Sequence, residues 1–438
     1  MNSTVLIFSE IPSNRLQYVC RLVFTQHLGL DFSITCDRDV FTAWAGAKLL
    51  YCNVPNGKDL HIVPDILLFE TGTGKKQINT CVHEGVNVPF ATGGQSLPFD
   101  VFAAIFYLVS RYEEYLPFTQ NQYGQFKAAE ALASQLGFLN KPVVDIWVLQ
   151  MKILLERKFP YLVFKQQQFR ATFTYDIDVA YAYLGRTAAV TAANCIRDGL
   201  KGNFKRLKER LRVMRKTQKD PFDTYDHILQ QKSLYGHDIL FFFLLGPRHK
   251  FNRNLPPNQH HQQQLIATLA ANEPAGIHPS YFADTDAALL QKEKQLLETI
   301  CHKKITSSRQ HYLRLSLPVT YNNLTRAGIT DDYTMGFAEQ PGFRAGTCTA
   351  FNFYDLLTET ETGLVIHPHT FMEGTFIEDM QLPVTATLPK MTALVDEVKK
   401  VNGHFISIWH NHSLCNQNEW KGLREVHDSL AAYARLQQ

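Results

Sequence analysis

Two carboxylates two positions apart, Asp176 and Asp178, close an apolar run in the segment Thr174-Tyr175-Asp176-Ile177-Asp178. Side chains alternate along an extended strand, so both point to the same side. Like charges that close cannot both stay ionised in a dry site unless a cation lies between them or one takes up a proton. A bound metal ion is one solution, and a solvated turn with two exposed aspartates is the other. Further along, the segment 275–282 (AGIHPSYF) brings His278 and Ser280 to the end of another apolar run. Imidazole is the commonest side-chain metal ligand and suits zinc. Next come Arg309, His311, Asp331, Asp332 and Arg344, followed by the histidine-bearing segments VIHPHTFMEGTF and HFISIWHNHSL, the latter holding His410. Eleven of the 17 histidines lie after residue 250. Acid/base transfer and metal binding both draw on imidazole, so this enrichment points to one polar pocket in the second half of the chain.

Such side chains need elements to hold them. From 170 onward, apolar β-type runs (FTYDIDV, DILFFFLLG, AGIHPSY, ITSSRQHYLRL) alternate with helical stretches at 222–235, 257–271 and 286–301. That alternation argues for parallel strands covered by helices, with the chemistry at the C-terminal ends of the strands. Residues 1–70 give the strand-like runs TVLIFSE, DFSITC, KLLYCNV and DILLFE. A helical pattern over 98–116 follows, with further helices expected at 126–136 and 142–157. KFPYLVFKQQQF (158–169) reads as a connector, which divides the chain into 1–165, a small α/β domain, and 166–438, a larger one.

The composition fits a packed globular protein: 438 residues, 45% hydrophobic and 19% charged. A net charge of +3 is too small for a whole-molecule field that would gather nucleic acid. The eight cysteines are scattered, without C-x-x-C pairs, as expected of reduced thiols in a cytoplasm. The start MNSTVLIFSEIPSNR lacks a basic n-region and reads as a strand rather than a signal peptide, so a cytoplasmic location is expected. The longest apolar stretches, 101–110 and 239–246, fall short of the ~20 residues of a membrane span. One segment stands apart. Residues 197–219 hold ten Lys and Arg, with Phe204, Leu207, Leu211 and Met214 at helical spacing. The favoured reading is a helical excursion that docks this apolar stripe on the protein and leaves its charges in water. The alternative is a weak association with a membrane surface or polyanion.

In motif order, residues 165–438 resemble the polysaccharide deacetylases of the NodB-homology type, carbohydrate esterase family 4. TYDID looks like that family's TFDDG motif, GIHPSYF like its H-[ST]-x-x-H motif, and SIWHN like the apolar strand that ends in a histidine. The resemblance implies a distorted (β/α) barrel preceded by the smaller α/β domain. It also implies a divalent metal, zinc by type, and a carbohydrate substrate. By it, Asp176 would be the catalytic base, Asp178 and His278 metal ligands, and His410 the general acid. The arginine that orients the base would be Arg309 or Arg344, and the residues alone do not separate them. The sequence departs from the pattern at Phe282, which stands four residues after His278 where the family has a second histidine. Catalytic zinc sites usually offer three protein ligands plus water, so either His311, or failing it His410, completes the shell, or the metal is weakly held or absent. The implied function is metal-dependent N-deacetylation of an amino sugar or polysaccharide. The alternative is a degenerate carbohydrate-binding or scaffold protein of a cell-envelope pathway. The first 165 residues resemble only the uncharacterised domain that precedes such domains in some bacterial proteins.

Overall fold

The second half of the chain is organised by a nine-stranded sheet. In a computed structural model that describes residues 4–435, a first sheet takes β1 (Thr4–Ser9), β2 (Asp31–Thr35), β3 (Lys48–Tyr51) and β4 (Leu60–Ile62), all parallel, in the order β2-β1-β3-β4. A hairpin of β5 (Thr80–His83) and β6 (Val86–Pro89) follows. The large sheet holds β7 (Arg170–Ile177), β8 (Asp238–Phe243), β9 (Ala275–Ile277), β10 (Ser307–Ser308) and β11 (Asp331–Asp332). It continues with β12 (Phe351–Asp355), β13 (Thr360–Ile366), β14 (Phe371–Met372) and β15 (His404–His410). Their order is β12-β13-β11-β10-β9-β8-β7-β15-β14, and every neighbouring pair is parallel except β12 with β13.

β7 and β8 sit near the middle because they are apolar on both faces. In β7 only Arg170 is exposed, and in β8 only Asp238. Strands buried on both sides read as continuous hydrophobic runs, which is how a parallel sheet covered by helices differs from an alternating one. Among the described residues the sheet does not close on itself. One edge is β12, folded back as an antiparallel hairpin on β13, and the other is β14, only two residues long before the chain turns at Thr375–Asp379. The architecture is therefore mixed α/β with a large, mainly parallel sheet.

Several local expectations are corrected. DILLFE is a single helical turn, Ile66–Phe69, because the Asp65 side chain accepts the Leu67 N–H and caps it. The fourth strand of the first sheet is Leu60–Ile62 instead. The helix expected over 98–116 runs only from Val101 to Val109, capped by Asp100 through the N–H groups of Phe102 and Ala103 and ended at Arg111, whose φ of 52° is left-handed. Over 126–136 the α-helix is only Leu132–Gln135. The apolar stripe in the basic segment does not dock: Phe204, Leu211 and Met214 lie on the exposed side of the helix Phe204–Met214. No helix among the described residues is long and apolar enough to cross a membrane.

One continuous apolar core spans both sheets and the fully buried helix Val101–Val109. Buried ion pairs also cross from residues before 165 to residues after it. Arg15 donates to Glu359 at 2.9 Å, and the Arg344 guanidinium meets Glu114 through two bonds of 2.8 and 2.6 Å. Arg111, fully buried, donates to Glu114 and Glu113 at 2.7 Å each, so these charges neutralise one another inside the protein.

Candidate active site

The C-terminal ends of five strands, from a run of six in the large sheet, converge on one group of side chains. β7 delivers Asp176 and, one residue past its end, Asp178. β9 is followed at once by His278, β10 by Arg309 and His311, β14 by Glu373, and β15 ends in His410, which pairs in register with Asp176. Alternation along β7 puts the two aspartates on one side. The His278 Nε2 lies 3.3 Å from Asp178 Oδ1 and 3.8 Å from Asp176 Oδ2.

Asp176 is buried and held by Arg309, whose Nη1 donates to its Oδ1 at 2.8 Å and to Thr174 Oγ1 at 2.6 Å. The guanidinium is itself fixed by a bond from Nε to the Tyr333 carbonyl at 3.0 Å and by lying 4.5 Å over the Phe242 ring. That ring has room only because residue 276 is glycine: a Cβ there would stand 2.5 Å from Phe242. Arg344 is not part of this group. It is bonded to Glu114 and to the Gly336 carbonyl, because the turn that carries it packs on the helix Val101–Val109 and the turn after it.

Asp178, His278 and His311 form the second part. His311 Nε2 is 3.4 Å from Asp178 Oδ2, and three donor atoms of these residues lie within 4.8 Å of one another. The hydrogen bonds at the far side of each ring decide which nitrogen carries the proton. His278 Nδ1 donates to the Arg309 carbonyl at 2.6 Å. His311 Nδ1 meets Asn252 Oδ1 at 3.3 Å, and that oxygen already accepts the Tyr281 N–H, so the imidazole must be the donor. Both Nε2 lone pairs are thereby turned toward Asp178, the arrangement that outer hydrogen bonds impose on metal-binding histidines. Asp178 Oδ1 is buried and accepts no hydrogen bond from the protein. A buried carboxylate oxygen without a donor, faced by two imidazole lone pairs, is a donor set that fits a divalent cation of the zinc type.

His410 forms the third part. Its Nδ1 lies 2.9 Å from Glu373 Oε1, which also accepts the His410 backbone N–H at 2.8 Å, and its Nε2 faces Asp178 Oδ2 at 3.7 Å. Burial opposes charge on this ring, but Glu373, with Asp178 and Asp176 beyond, pushes its pKa up to about 10. When the histidines carry protons, burial disfavours the Asp178 charge, yet His311, His278 and His410 hold it well below the usual carboxylate range; a cation at the two Nε2 atoms would take the place of the protons on His311 and His278. The formal balance is three carboxylates against Arg309 and protonated His410, leaving one negative charge for a cation to compensate.

The turn that aims His311 is strained. Tyr312 and Leu313 both take left-handed φ values, 59° and 51°, each costing on the order of 1–3 kcal/mol for a non-glycine residue. The segment Asn121–Gln125 holds this turn: the Gln125 amide donates to the Tyr312 carbonyl, and Arg314 donates to the Tyr123 carbonyl at 2.5 Å. Phe282 is half exposed and packs edge-on to His249, away from the three donors. Glu373 and Asn252 are the two residues of the group that the sequence did not single out. Glu373 stood inside a segment noted only for its histidines, and nothing in the pattern around Asn252 marks it.

A family model described as a family of unknown function, DUF7033, matches residues 5–160. No curated protein matches the sequence. Solved structures with a similar course of chain include a protein described as a polysaccharide deacetylase from Mycobacterium smegmatis (TM-score 0.40, 13% identity, covering 61% of this chain and 85% of that one). A polysaccharide deacetylase from Bacillus cereus has a TM-score of 0.30 at 11% identity, covering 61% of this chain and 87% of that one. Puue allantoinase has a TM-score of 0.37 at 10% identity, covering 61% of this chain and 86% of that one.

Proposed function

We propose that the chain is a metal-dependent hydrolase of amide bonds that removes the acetyl group from an N-acetylated amino sugar or polysaccharide, on a barrel-like arrangement of the large sheet. The observation that carries this reading is the Asp178 carboxylate, with one oxygen lacking any donor, set between the Nε2 atoms of His278 and His311. His311 would supply the third ligand that Phe282 cannot, which favours this reading over a degenerate binding site.

Asp178, His278 and His311 would hold the cation. When bound, it supplies Lewis-acid polarisation of the scissile carbonyl and of a water. The protein's own groups divide the proton traffic. Asp176, locked by Arg309, accepts a proton from the attacking water as the new C–O bond forms. His410 has Nδ1 engaged by Glu373, so the proton it can give is on Nε2, and it passes to the leaving nitrogen as the C–N bond breaks. Acetate and a free amine result. The strong Glu373 pairing keeps His410 protonated at neutral pH, as a general acid requires.

The test uses the full chain, loaded with zinc, on an N-acetylated glucosamine oligomer. Asp176→Asn is expected to lower deacetylation on the order of 10²–10⁴-fold while metal content stays at one equivalent. Unchanged activity in that variant would remove the assigned base. Failure of the unmodified protein to bind zinc, cobalt or nickel would remove the reading altogether.

A further inference from the structure

We propose that the helical hairpin made by Ala188–Leu200 and Phe204–Met214 is a surface-binding element whose partner is an anionic lipid bilayer. The first helix is inside out. Ala189, Ala193, Ile196 and Leu200, at spacings of four, three and four, all lie on its exposed face, whereas the polar Thr191, Asn194 and Asp198 are turned inward. Ile196 is 64% exposed and Leu200 85%. A helix meant to dock on its own protein has the opposite arrangement. On the second helix the exposed Phe204, Leu211 and Met214 run beside the exposed Lys205, Lys208, Arg212 and Arg215.

The hairpin is held together by its polar side. Asp198 and Arg210 form a buried ion pair at 2.8 Å, Arg210 lies over the Tyr183 ring, and the Tyr183 hydroxyl donates to Glu209 at 2.7 Å. Asp220 closes the base by accepting the backbone N–H groups of Ala182, Tyr183 and Leu184. The excursion is thus a folded projection that follows the C-terminal end of β7, the end that carries the candidate site.

Charge decides the occupant. Residues 197–219 hold ten Lys and Arg against two acids, Asp198 and Glu209; Asp198 is paired with Arg210 inside the hairpin, and Glu209 is turned to the Tyr183 hydroxyl. An apolar ridge flanked by basic residues complements acyl chains under anionic headgroups. A second copy of the chain would bring two strongly basic hairpins together. A nucleic acid would match the charges but leave Ile196, Leu200 and Phe204 without a partner, because its outer surface is a phosphate backbone.

The test is cosedimentation of the full chain with vesicles of equal parts phosphatidylglycerol and phosphatidylcholine, compared with phosphatidylcholine alone. The protein is expected to bind the anionic vesicles and to release as salt shortens the reach of the charges. Each basic residue near such a surface is worth about fivefold in binding. Lys205→Gln, Lys208→Gln and Arg212→Gln together should therefore weaken it on the order of a hundredfold. Ile196→Ser, Leu200→Ser and Phe204→Ser together should weaken it at least about tenfold. All six side chains are exposed, and unchanged circular dichroism of each variant checks that the fold is kept. The proposal is overturned if anionic and neutral vesicles bind equally, if either triple variant binds as well as the unmodified chain, or if a single-stranded RNA homopolymer outcompetes the vesicles. It is also overturned if the serine variant instead splits a stable dimer.

Discussion

Arg309 and Asp176 are the pair on which the base assignment turns, and their energetics can be worked from the structure. Both side chains are nearly sealed from water, at 0% and 4% exposure, and meet at 2.8 Å. Breaking such a pair by removing one partner typically costs about 3–5 kcal/mol, because the other charge is left buried and uncompensated. Arg309→Met does this while keeping an apolar stem over Phe242. It also strips the Tyr333 carbonyl and the Thr174 hydroxyl of a donor, which places the expected loss toward the upper end of that range. For a domain of this size about 2–4 °C of melting temperature accompanies each kcal/mol, giving a drop of roughly 6–20 °C. Adding Asp176→Asn removes the stranded charge and should return at least about half of the loss, a coupling that a double-mutant cycle isolates. The assay is differential scanning calorimetry of the four proteins in EDTA, so that no cation offsets the same charge. A drop below about 2 °C for Arg309→Met alone, or a double variant no more stable than the single one, would refute the claim that these two groups neutralise each other.

Asn252→Leu removes the acceptor that fixes the His311 ring, and should weaken zinc binding about 10–100-fold, read by competition with a chromogenic chelator; His311→Gln should weaken it further. Gly276→Ala forces a methyl against Phe242 and the Ser307 carbonyl, so a loss of about 1–3 kcal/mol is expected on overpacking grounds, visible as a lower urea midpoint with lower deacetylation. At the opposite end of the strands, burial lowers His237 to about 4 and His404 to about 3. Both folded values lie below the unfolded one of about 6.5, so the unfolded chain takes up more protons as pH falls, and stability is lost from about pH 6.5 downward. Each contributes a slope near 1.4 kcal/mol per pH unit in that window, and His237→Phe should flatten the denaturation profile by about one proton.

Much of the frame was legible in residue order. Continuous apolar runs such as FTYDI and DILFFF mark strands buried on both faces, and the helices between them force parallel neighbours. The short strands were not legible: β10 and β11 have two residues each and owe their place to the neighbours that pair with them. DILLFE read as a strand because four apolar residues fit either state, and only the Asp65 cap selects the turn. The direction of the basic hairpin's apolar face was likewise hidden. Spacing shows that a stripe exists but not which side of the helix the rest of the protein occupies.

For the site, the alternation of a strand by itself put Asp176 and Asp178 on one side, since that follows from backbone geometry without any long-range contact. What lay beyond the reach of local pattern was choice among equals. Arg309 and Arg344 sit in comparable polar turns, and only the packing of β10 beside β9 and of the Arg344 turn against Glu114 sends one to Asp176 and the other into a distant ion pair. His311 joined Asp178 and His278, and Glu373 and Asn252 came to orient two of the imidazoles, through contacts spanning 33 to 133 residues of sequence. Such distances are closed by the order of strands in the sheet, and no interaction between near neighbours in the chain carries that information.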